Sequence, residues 1–242
     1  MKWFESWFDS KYYHILYQKR DYSEAALFID NILTTFQPKK NTKFLDLGCG
    51  SGRHSIYLNK KGFNVDGFDL SKKSLEEAKK QENNTLKFYQ KDMRTFKVNS
   101  KYDFVLNLFT SFGYFEDDND NKNVFENIAK SLKSDGHLII DFFNSEKVIN
   151  QIKSRETKKI NDIIFNIKKT HDENFIYKKI SITDKKNKYN FTEKVRLISK
   201  QKFINYANGL NMDLIFTFGN YNLTKYNKKT SDRLILVFKK TI

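Results

Sequence analysis

Two periods of hydrophobic residues alternate along the first 145 residues of the chain. Short apolar runs predict β-strands at residues 43–47, 63–70, 86–90, 102–108 and 137–143. Apolar residues at helical spacing predict the intervening helices at residues 52–61, 72–82 and 122–133. Strands that alternate with helices at this interval favour an α/β fold with a parallel, doubly wound sheet.

Small, acidic and proline residues mark the expected ends of several elements. Asp21 and Glu24 can form a capping box for a first helix, which Pro38 closes. An acidic, Asn-rich stretch at residues 116–121 predicts a loop before the helix at 122–133. We expect Gly136 to end that helix.

The pattern changes near residue 155. Alternating apolar residues predict three consecutive strands at residues 160–169, 175–183 and 188–198, joined by turn-like segments. Because no helix separates them, we expect an antiparallel meander inserted into the α/β order. Ser199 then caps a predicted helix that runs to Asn208. Two final strands are predicted at residues 212–218 and 234–240.

The first predicted strand ends in a glycine-rich turn, DLGCGSG at residues 46–52. Glycine tolerates positive φ and adds no side chain, so the backbone of such a turn can approach a small molecule closely. A dinucleotide-binding fingerprint would need a glycine where Arg53 stands. The spacing D-x-G-x-G-x-G instead resembles the cofactor loop of class I S-adenosylmethionine-dependent methyltransferases.

This resemblance implies a fold, a cofactor and a division into domains. Five parallel strands plus a terminal pair match the seven-stranded sheet of that family, whose final strand is antiparallel. We therefore expect an α/β, doubly wound, seven-stranded and mostly parallel sheet with an inserted antiparallel β meander. The expected methyl donor is S-adenosylmethionine. The expected units are an N-terminal helical lid at 1–40, a Rossmann-like cofactor-binding domain at 41–150 with 199–242, and the insertion at 151–198.

Candidate cofactor-binding residues follow the ends of the predicted strands, where ligands bind in open parallel sheets. Asp69 is suited to accept both ribose hydroxyls of an adenosine group, and Leu70 would pack against the adenine. Asp92 could accept from the adenine amino group while the Met93 N–H donates to the ring. The full predicted set is Tyr13, Tyr17, Asp46, Gly48, Cys49, Gly50, Gly52, Asp69, Leu70, Asp92, Met93, Asn107 and Leu108.

An aromatic segment near the N-terminus is the expected front of the pocket. Tyr13 and Tyr17 would share one face of a helix, with Arg20 and Asp21 following them. In similar enzymes such a segment folds over the cofactor. The sequence identifies no catalytic residue, and the candidates are His14, Tyr13 and Tyr114. Their alternative interpretation is structural: an aromatic packing stripe and a surface histidine.

Charge adds one further feature. The chain has 44 Lys and Arg against 29 Asp and Glu, a formal net charge of +15, and only six of the basic residues are arginine. Residues 151–200 contain 14 basic and six acidic residues, so this stretch contributes +8. Lysine lacks the bidentate fork with which arginine binds phosphates and bases, which weakens a nucleic-acid interpretation. The excess positive charge either keeps the protein soluble or attracts an acidic substrate or partner.

Several classes of protein are excluded by composition. A single cysteine excludes an intramolecular disulfide, a cysteine-rich zinc site and catalysis by a cysteine pair. The histidines have no spacing suited to a metal, so none is expected. No apolar run approaches the length of a membrane span and no signal-peptide core is present, so we expect a cytoplasmic protein.

These observations lead to one expected function and two alternatives. We expect methyl transfer to N or O of a small metabolite, which could be anionic. Three segments, residues 107–115, the meander and the ending TSDRL at 230–234, look most like a bacterial group of small-molecule methyltransferases. That group includes N-methyltransferases of nucleotide-linked aminosugars. The alternatives are an RNA or protein methyltransferase that docks through the insertion, and a cofactor-binding partner subunit without catalysis. Residues 107–115 lack an N-P-P-Y type motif, which argues against nucleic-acid amines. The insertion could also pair two copies as a homodimer.

Overall fold

The structure, a computed structural model, describes residues 3–18, 22–152 and 154–241. The described helices are α1 Trp3–Phe8, α2 Lys11–Leu16, α3 Tyr22–Phe36, α4 Arg53–Lys60, α5 Lys72–Lys79, α6 Asp118–Ser131, α7 Ser145–Asn150 and α8 Lys200–Ala207. The described strands are β1 Lys43–Leu47, β2 Asn64–Asp69, β3 Leu86–Gln90, β4 Tyr102–Asn107, β5 Leu132–Phe143, β6 Arg155–Ile160, β7 Ile163–His171, β8 Phe175–Asp184, β9 Asn187–Arg196, β10 Met212–Phe218 and β11 Arg233–Lys240.

Seven strands form one sheet in the order β10-β11-β5-β4-β1-β2-β3. The strands β1 to β5 pair in parallel, whereas β11 is antiparallel to both of its neighbours, β5 and β10. The predicted doubly wound, seven-stranded and mostly parallel sheet is therefore confirmed. The chain builds the sheet outward from β1 to β3 and then returns to place β4 on the other side of β1. This reversal opens a crevice at the carboxyl ends of β1 and β4.

Hydrophobic layers cover both faces of this sheet because successive side chains on a strand point to opposite faces. Leu45 belongs to the layer that packs against α6 and α8, and its neighbour Phe44 belongs to the layer beneath α3, α4 and α5. Phe112 joins the first layer from the loop after β4. Its ring centre lies 5.6 Å from that of Phe125 on α6 and 5.5 Å from that of Phe203 on α8.

The inserted strands form a separate antiparallel sheet in the order β6-β7-β8-β9. The inner face of this sheet carries Phe165, Ile167, Ile180 and Ile182, which form one buried cluster with residues of α1 and α2. The N-terminal helices and the insertion therefore cover each other's apolar surfaces. The prediction of an inserted antiparallel meander is confirmed.

The number of strands in the insertion was predicted wrongly as three, since the structure has four. The first predicted strand, residues 160–169, is interrupted by a turn at Asn161, whose φ is 53°. The residues before the turn form β6, which pairs along its length with β7. This strand was missed because its sequence RETKKI has no apolar alternation, and the strand lies exposed at the edge of the sheet.

Other boundaries also differ from the prediction. The acidic residues predicted as a loop at 116–121 instead begin α6, where Asp117 is the N-cap and acidic side chains favour the positive end of the helix dipole. Gly136 does not end that helix, which stops at Ser131. Gly136 instead lies in β5, where an added Cβ would come within 2.9 Å of the Lys133 carbonyl oxygen. The helix α7 was not predicted, and Asp21 lies outside the described residues.

We expect Phe112→Ala to lower the free energy of unfolding by about 3–5 kcal/mol, because the large cavity it leaves would be fully buried. Urea denaturation measures the loss. Leu27→Ala is the matched control, because Leu27 lies on α3 with 45% of its surface exposed. A loss for Phe112→Ala no larger than the control's would contradict the packing described here.

Candidate active site

A cavity of about 510 Å³ lies at the carboxyl ends of β1, β2 and β4. Its floor is formed by the glycine turn and by the loops after β2, β3 and β4. Its roof is formed by α1, α2 and the side chains of β9. The cavity therefore lies where the strand order reverses, and its volume falls in the range of small-molecule sites.

The glycine turn follows β1 and has a left-handed backbone. Gly48 and Gly50 have φ values of 83° and 56°, a region that L-residues rarely occupy. A Cβ built on Gly48 would lie 2.6 Å from the Cβ of Ser111, so this position has no room for a side chain. A Cβ on Gly50 would meet no atom within 4 Å. The backbone is thus exposed to the cavity beside Gly50.

Asp69 ends β2 and faces the turn. Its Oδ2 accepts a hydrogen bond of 2.7 Å from the Gly50 amide, and its Oδ1 accepts one of 2.8 Å from the Ser71 amide. Burial raises the pKa of Asp69, while these two hydrogen bonds act in the opposite direction. The carboxylate is therefore held in one orientation by backbone donors, with its remaining lone pairs available to the cavity that it lines.

The loop after β3 adds a second carboxylate. Asp92 lines the cavity and accepts from the Arg94 Nε at 3.0 Å, and Arg94 also pairs with Asp120 at 3.2 Å. This double attachment fixes Asp92 as part of the wall. Ten of the thirteen residues predicted to bind the cofactor line the cavity, namely Tyr13, Tyr17, Gly48, Cys49, Gly50, Asp69, Leu70, Asp92, Met93 and Leu108.

The other three predicted cofactor residues are not among those that line the cavity. Asp46 is 1% exposed and accepts a hydrogen bond of 2.6 Å from the Ser55 hydroxyl. Asn107 is completely buried, and its Nδ2 donates to the Leu47 carbonyl at 2.7 Å. Gly52 packs against the ring of Phe88. These residues hold the glycine turn from the side away from the cavity.

The roof is clamped onto the insertion by Glu193 of β9. One carboxylate oxygen of Glu193 accepts from Trp7 Nε1 at 2.7 Å and from the Tyr17 hydroxyl at 2.6 Å. Its other oxygen lies 3.5 Å from Lys178 Nζ. Asp9 ties the same segment to the floor, because it accepts from the Ser71 hydroxyl at 2.6 Å. The roof is thus held at both sides of the cavity.

The three catalytic candidates all lie in the cavity wall. Tyr13 and His14 come from α2, and Tyr114 comes from the loop after β4. The Tyr114 hydroxyl donates to the Thr110 carbonyl, and its ring centre lies 5.6 Å from that of Trp3. Arg20 lies outside the described residues.

The structure also brings to the cavity Glu193 and Arg233, which were not predicted to lie there, together with His54, which the sequence places close to the glycine turn. Burial lowers the pKa of His54 to about 3, so this imidazole is neutral near pH 7. Arg233 donates through Nε to Asp141, which lies in the apolar run LIIDFF of β5 and is fully buried. An acidic residue within such an apolar run indicates a buried charge that needs a basic partner, and this was the signal in the sequence that could have pointed to Arg233. Glu193 gave none, since it alternates with ordinary strand residues.

Within the described ranges, no group of three or more His, Cys, Asp and Glu side chains is arranged to hold a metal ion. No described helix is both long and apolar enough to cross a lipid bilayer.

Comparisons with known proteins agree with this geometry. The family described as "Methyltransferase domain" matches residues 38–196. An S-adenosylmethionine-dependent methyltransferase from Clostridium acetobutylicum has a similar structure, with a TM-score of 0.80 at 19% identity over 96% of each chain. CalS10, an amino pentose methyltransferase from Micromonospora echinaspora, gives a TM-score of 0.73 at 17% identity, covering 96% of this chain and 98% of that one.

Curated relatives match a smaller part of the chain. A putative methyltransferase from a Geobacillus strain is 28% identical over 148 residues, covering 60% of this chain and 58% of that protein. A sugar N,N-dimethyltransferase from Streptomyces venezuelae, which acts on a dTDP-linked trideoxy amino sugar by its name, is 27% identical over 122 residues, or 50% of this chain and 51% of that protein. The matched region thus spans about half the length of these relatives.

The fold and the glycine turn define a class I methyltransferase. The chain belongs to the methyltransferase-domain family. At the level of the family, the predicted methyl donor, S-adenosylmethionine, is also confirmed.

The buried Asp46 gives a test of how the turn is supported. Burial raises the pKa of Asp46 from 3.8 to about 6. The folded state therefore binds a proton more tightly than the unfolded state, so this group's contribution to stability is present below pH 4 and is lost as the pH rises through 6. Asp46→Asn lacks this titration. We therefore expect the free energy of unfolding of Asp46→Asn, relative to that of the wild type, to rise by about 2–3 kcal/mol between pH 4 and pH 7. Urea denaturation across that range measures it, and a constant difference between the two proteins would contradict it.

Fluorescence can test the clamp at Glu193, because the two tryptophans, Trp3 and Trp7, both lie in α1. We expect Glu193→Ala to increase quenching of tryptophan by acrylamide, since Trp7 is completely buried and would lose its charged hydrogen-bond acceptor. Glu193→Gln keeps an acceptor oxygen and is the matched control. Equal quenching of the wild type and Glu193→Ala would show that this contact does not hold the roof.

Proposed function

We propose that this chain transfers the methyl group of S-adenosylmethionine to a nitrogen or oxygen atom of a small metabolite. The observation that carries the proposal is one continuous cavity that joins the glycine turn and Asp69 to the aromatic roof. A site enclosed on two sides can hold the donor and a small acceptor together while excluding water. Methyl transfer depends mainly on such orientation and exclusion.

The cavity wall fits the cofactor. We propose that Asp69 accepts hydrogen bonds from the ribose hydroxyls, since backbone amides already hold its two oxygens in place. Leu70 would lie against the adenine, and Asp92 with the Met93 amide would bind the adenine edge. The open space beside Gly50 suits a ligand in contact with the backbone. Asp46, Gly52 and Asn107 would act indirectly by holding the turn.

The acceptor side is formed by the roof and the insertion. When bound, the cofactor supplies an electrophilic methyl group on a sulfonium that leaves readily. The aromatic side chains of Trp3, Phe8 and Tyr114 exclude water from this region. An acceptor that arrives as an ammonium ion must lose a proton before its lone pair can attack, and Glu193 places a carboxylate in the wall that can accept the proton. Tyr13, His14 and Tyr114 remain our other candidates for this role.

Two observations favour an amine of a sugar-like metabolite as the acceptor. An aromatic-lined space with a carboxylate is suited to attract a cationic amine before it is deprotonated. The relatives whose names specify an acceptor include a sugar N,N-dimethyltransferase and structural neighbours described as amino pentose and sugar N-methyltransferases. We propose the same class of acceptor for this chain. We also propose that residues 1–40 act as a lid and that 151–198 shape the acceptor side of the domain formed by 41–150 and 199–242.

One surface supports a second candidate, an RNA or protein methyltransferase. Arg155, Lys168 and Lys179 lie directly opposite one another on β6, β7 and β8, all exposed. Like charges placed directly opposite one another repel. An acidic partner bound there would relieve this repulsion, so its binding would be favourable. RNA that stays bound at low salt and dissociates steeply as salt rises would support this candidate.

We expect Asp69→Asn to weaken S-adenosylhomocysteine binding by about tenfold or more, because the hydrogen bonds it would lose are made to a charged group. Isothermal titration calorimetry measures the affinity. Asp66→Asn is the matched control on the same strand, since Asp66 pairs with Tyr102 and Lys43 and does not line the cavity. Absence of binding to the wild type would overturn the proposed function. Equal affinities for the wild type and Asp69→Asn would overturn only the role of Asp69.

A further inference from the structure

We propose that the cavity contains an anion-binding subsite formed by Arg233, which takes a carboxylate or phosphate group of a bound ligand. The inference deepens the proposed function and rests on it. Arg233 is the first residue of β11 and lines the cavity, although only 19% of its side chain is exposed. It is one of six arginines in a chain whose other basic residues are all lysines.

Hydrogen bonds to Asp141 and Thr110 fix the orientation of the Arg233 guanidinium. Its Nε donates to Asp141 Oδ1 at 2.7 Å, and its Nη2 donates to the Thr110 hydroxyl at 2.9 Å. Asp141 Oδ2 also accepts from the Phe109 amide at 2.8 Å and from the Tyr221 hydroxyl at 3.1 Å. Burying an ion pair seldom adds stability over an apolar pair. This pair is therefore better explained by what it presents to the cavity.

The other edge of the guanidinium is available. Arginine has five N–H donors, and these two hydrogen bonds use one on Nε and one on Nη2. No described residue accepts the hydrogens of Nη1. The open edge, formed by Nη1 and Nη2, has the geometry that binds a carboxylate or a phosphate through two parallel hydrogen bonds.

The segment beside Arg233 is held in a strained conformation that supports the same interpretation. Phe109 and Thr110 have φ values of 59° and 62°, which cost free energy in residues other than glycine. The strained segment is held because the Phe109 amide donates to the Asp141 carboxylate and the Thr110 amide donates to the Asp141 backbone carbonyl. It places the Thr110 hydroxyl against Arg233. Such strain is characteristic of functional sites.

The charges around the cavity are divided between two ends. Arg53 also lines the cavity, and its guanidinium lies 4.8 Å from the ring centre of Phe109. The acidic side chains that act on Arg233 are Asp141 and Glu24, so the positive and negative charges around residues 109 and 110 are balanced. Asp69 ends β2 and Asp92 lies on the loop after β3, where the adenosine is proposed to bind. An anion at the Arg233 end would therefore be bound by the directed N–H donors of the guanidinium rather than by an excess of positive charge.

Two ligands could supply the anion: the methionine carboxylate of the cofactor, or an anionic group of the acceptor. Calorimetry on the full chain separates them with three probes: S-adenosylhomocysteine, 5′-methylthioadenosine, which lacks the amino-acid carboxylate, and inorganic pyrophosphate. Arg233→Lys keeps the charge but loses the open edge. Arg155→Lys, on the exposed strand β6, is the matched control.

If Arg233 binds the methionine carboxylate of the cofactor, Arg233→Lys should weaken S-adenosylhomocysteine binding by about tenfold or more and leave 5′-methylthioadenosine binding unchanged. If Arg233 instead binds an anionic group of the acceptor, Arg233→Lys should bind both adenosine ligands as tightly as the wild type does and should no longer bind pyrophosphate. Either result supports the subsite. Unchanged binding of all three probes, or equal weakening of both adenosine ligands, would overturn it.

Two features keep the test decisive. If the wild type binds neither adenosine ligand, the proposed function fails, while the pyrophosphate measurement still decides the subsite. If Arg233→Lys does not fold, the double variant Asp141→Asn with Arg233→Gln removes both buried charges together, and the same binding results apply to it. Thermal unfolding monitored by circular dichroism shows which variant is folded.

Discussion

The hydrogen bond from the Gly50 amide to the Asp69 carboxylate is the contact on which the arrangement of the site depends. It joins the turn after β1 to the end of β2, the two neighbouring strands beside the reversal of strand order. A buried carboxylate needs such donors, because removal from water without hydrogen bonds is costly. The turn supplies one of these donors, the Gly50 amide, and its path requires glycine at position 48, where a Cβ would lie 2.6 Å from that of Ser111. Turn, strand order and carboxylate therefore require one another.

The sequence predicts this part of the molecule well because each of its signals is local. The strand at residues 43–47, the turn DLGCGSG and the position of Asp69 all follow from short-range patterns, and the structure places them as expected. The prediction fails where a segment has no apolar pattern of its own. The strand β6 is held by pairing with β7 rather than by its own sequence. The acidic residues of α6 read as a loop because their benefit comes from the helix dipole.

The candidate site divides along the same line. Residues of the cofactor side are adjacent to glycine or to strand ends, so their types and spacing reveal them. Glu193 and Arg233 reach the cavity only because the insertion and β11 fold back to it. Nothing near either residue in sequence distinguishes it from a surface charge. The side of the cavity formed by the insertion and β11 is accordingly the part of the site that the sequence predicts least.

The two edges of the smaller sheet are unequal. The edge strand β9 lies against α1, whereas in β6 every residue but Ile160 is exposed. An open edge offers unpaired backbone groups to any other extended chain, which is a route to aggregation. Three of the six side chains of β6 are basic, and such charges keep a second strand of the same kind away. The basic residues of β6 thus oppose edge-to-edge pairing between folded molecules, apart from any ligand or partner that their charge attracts.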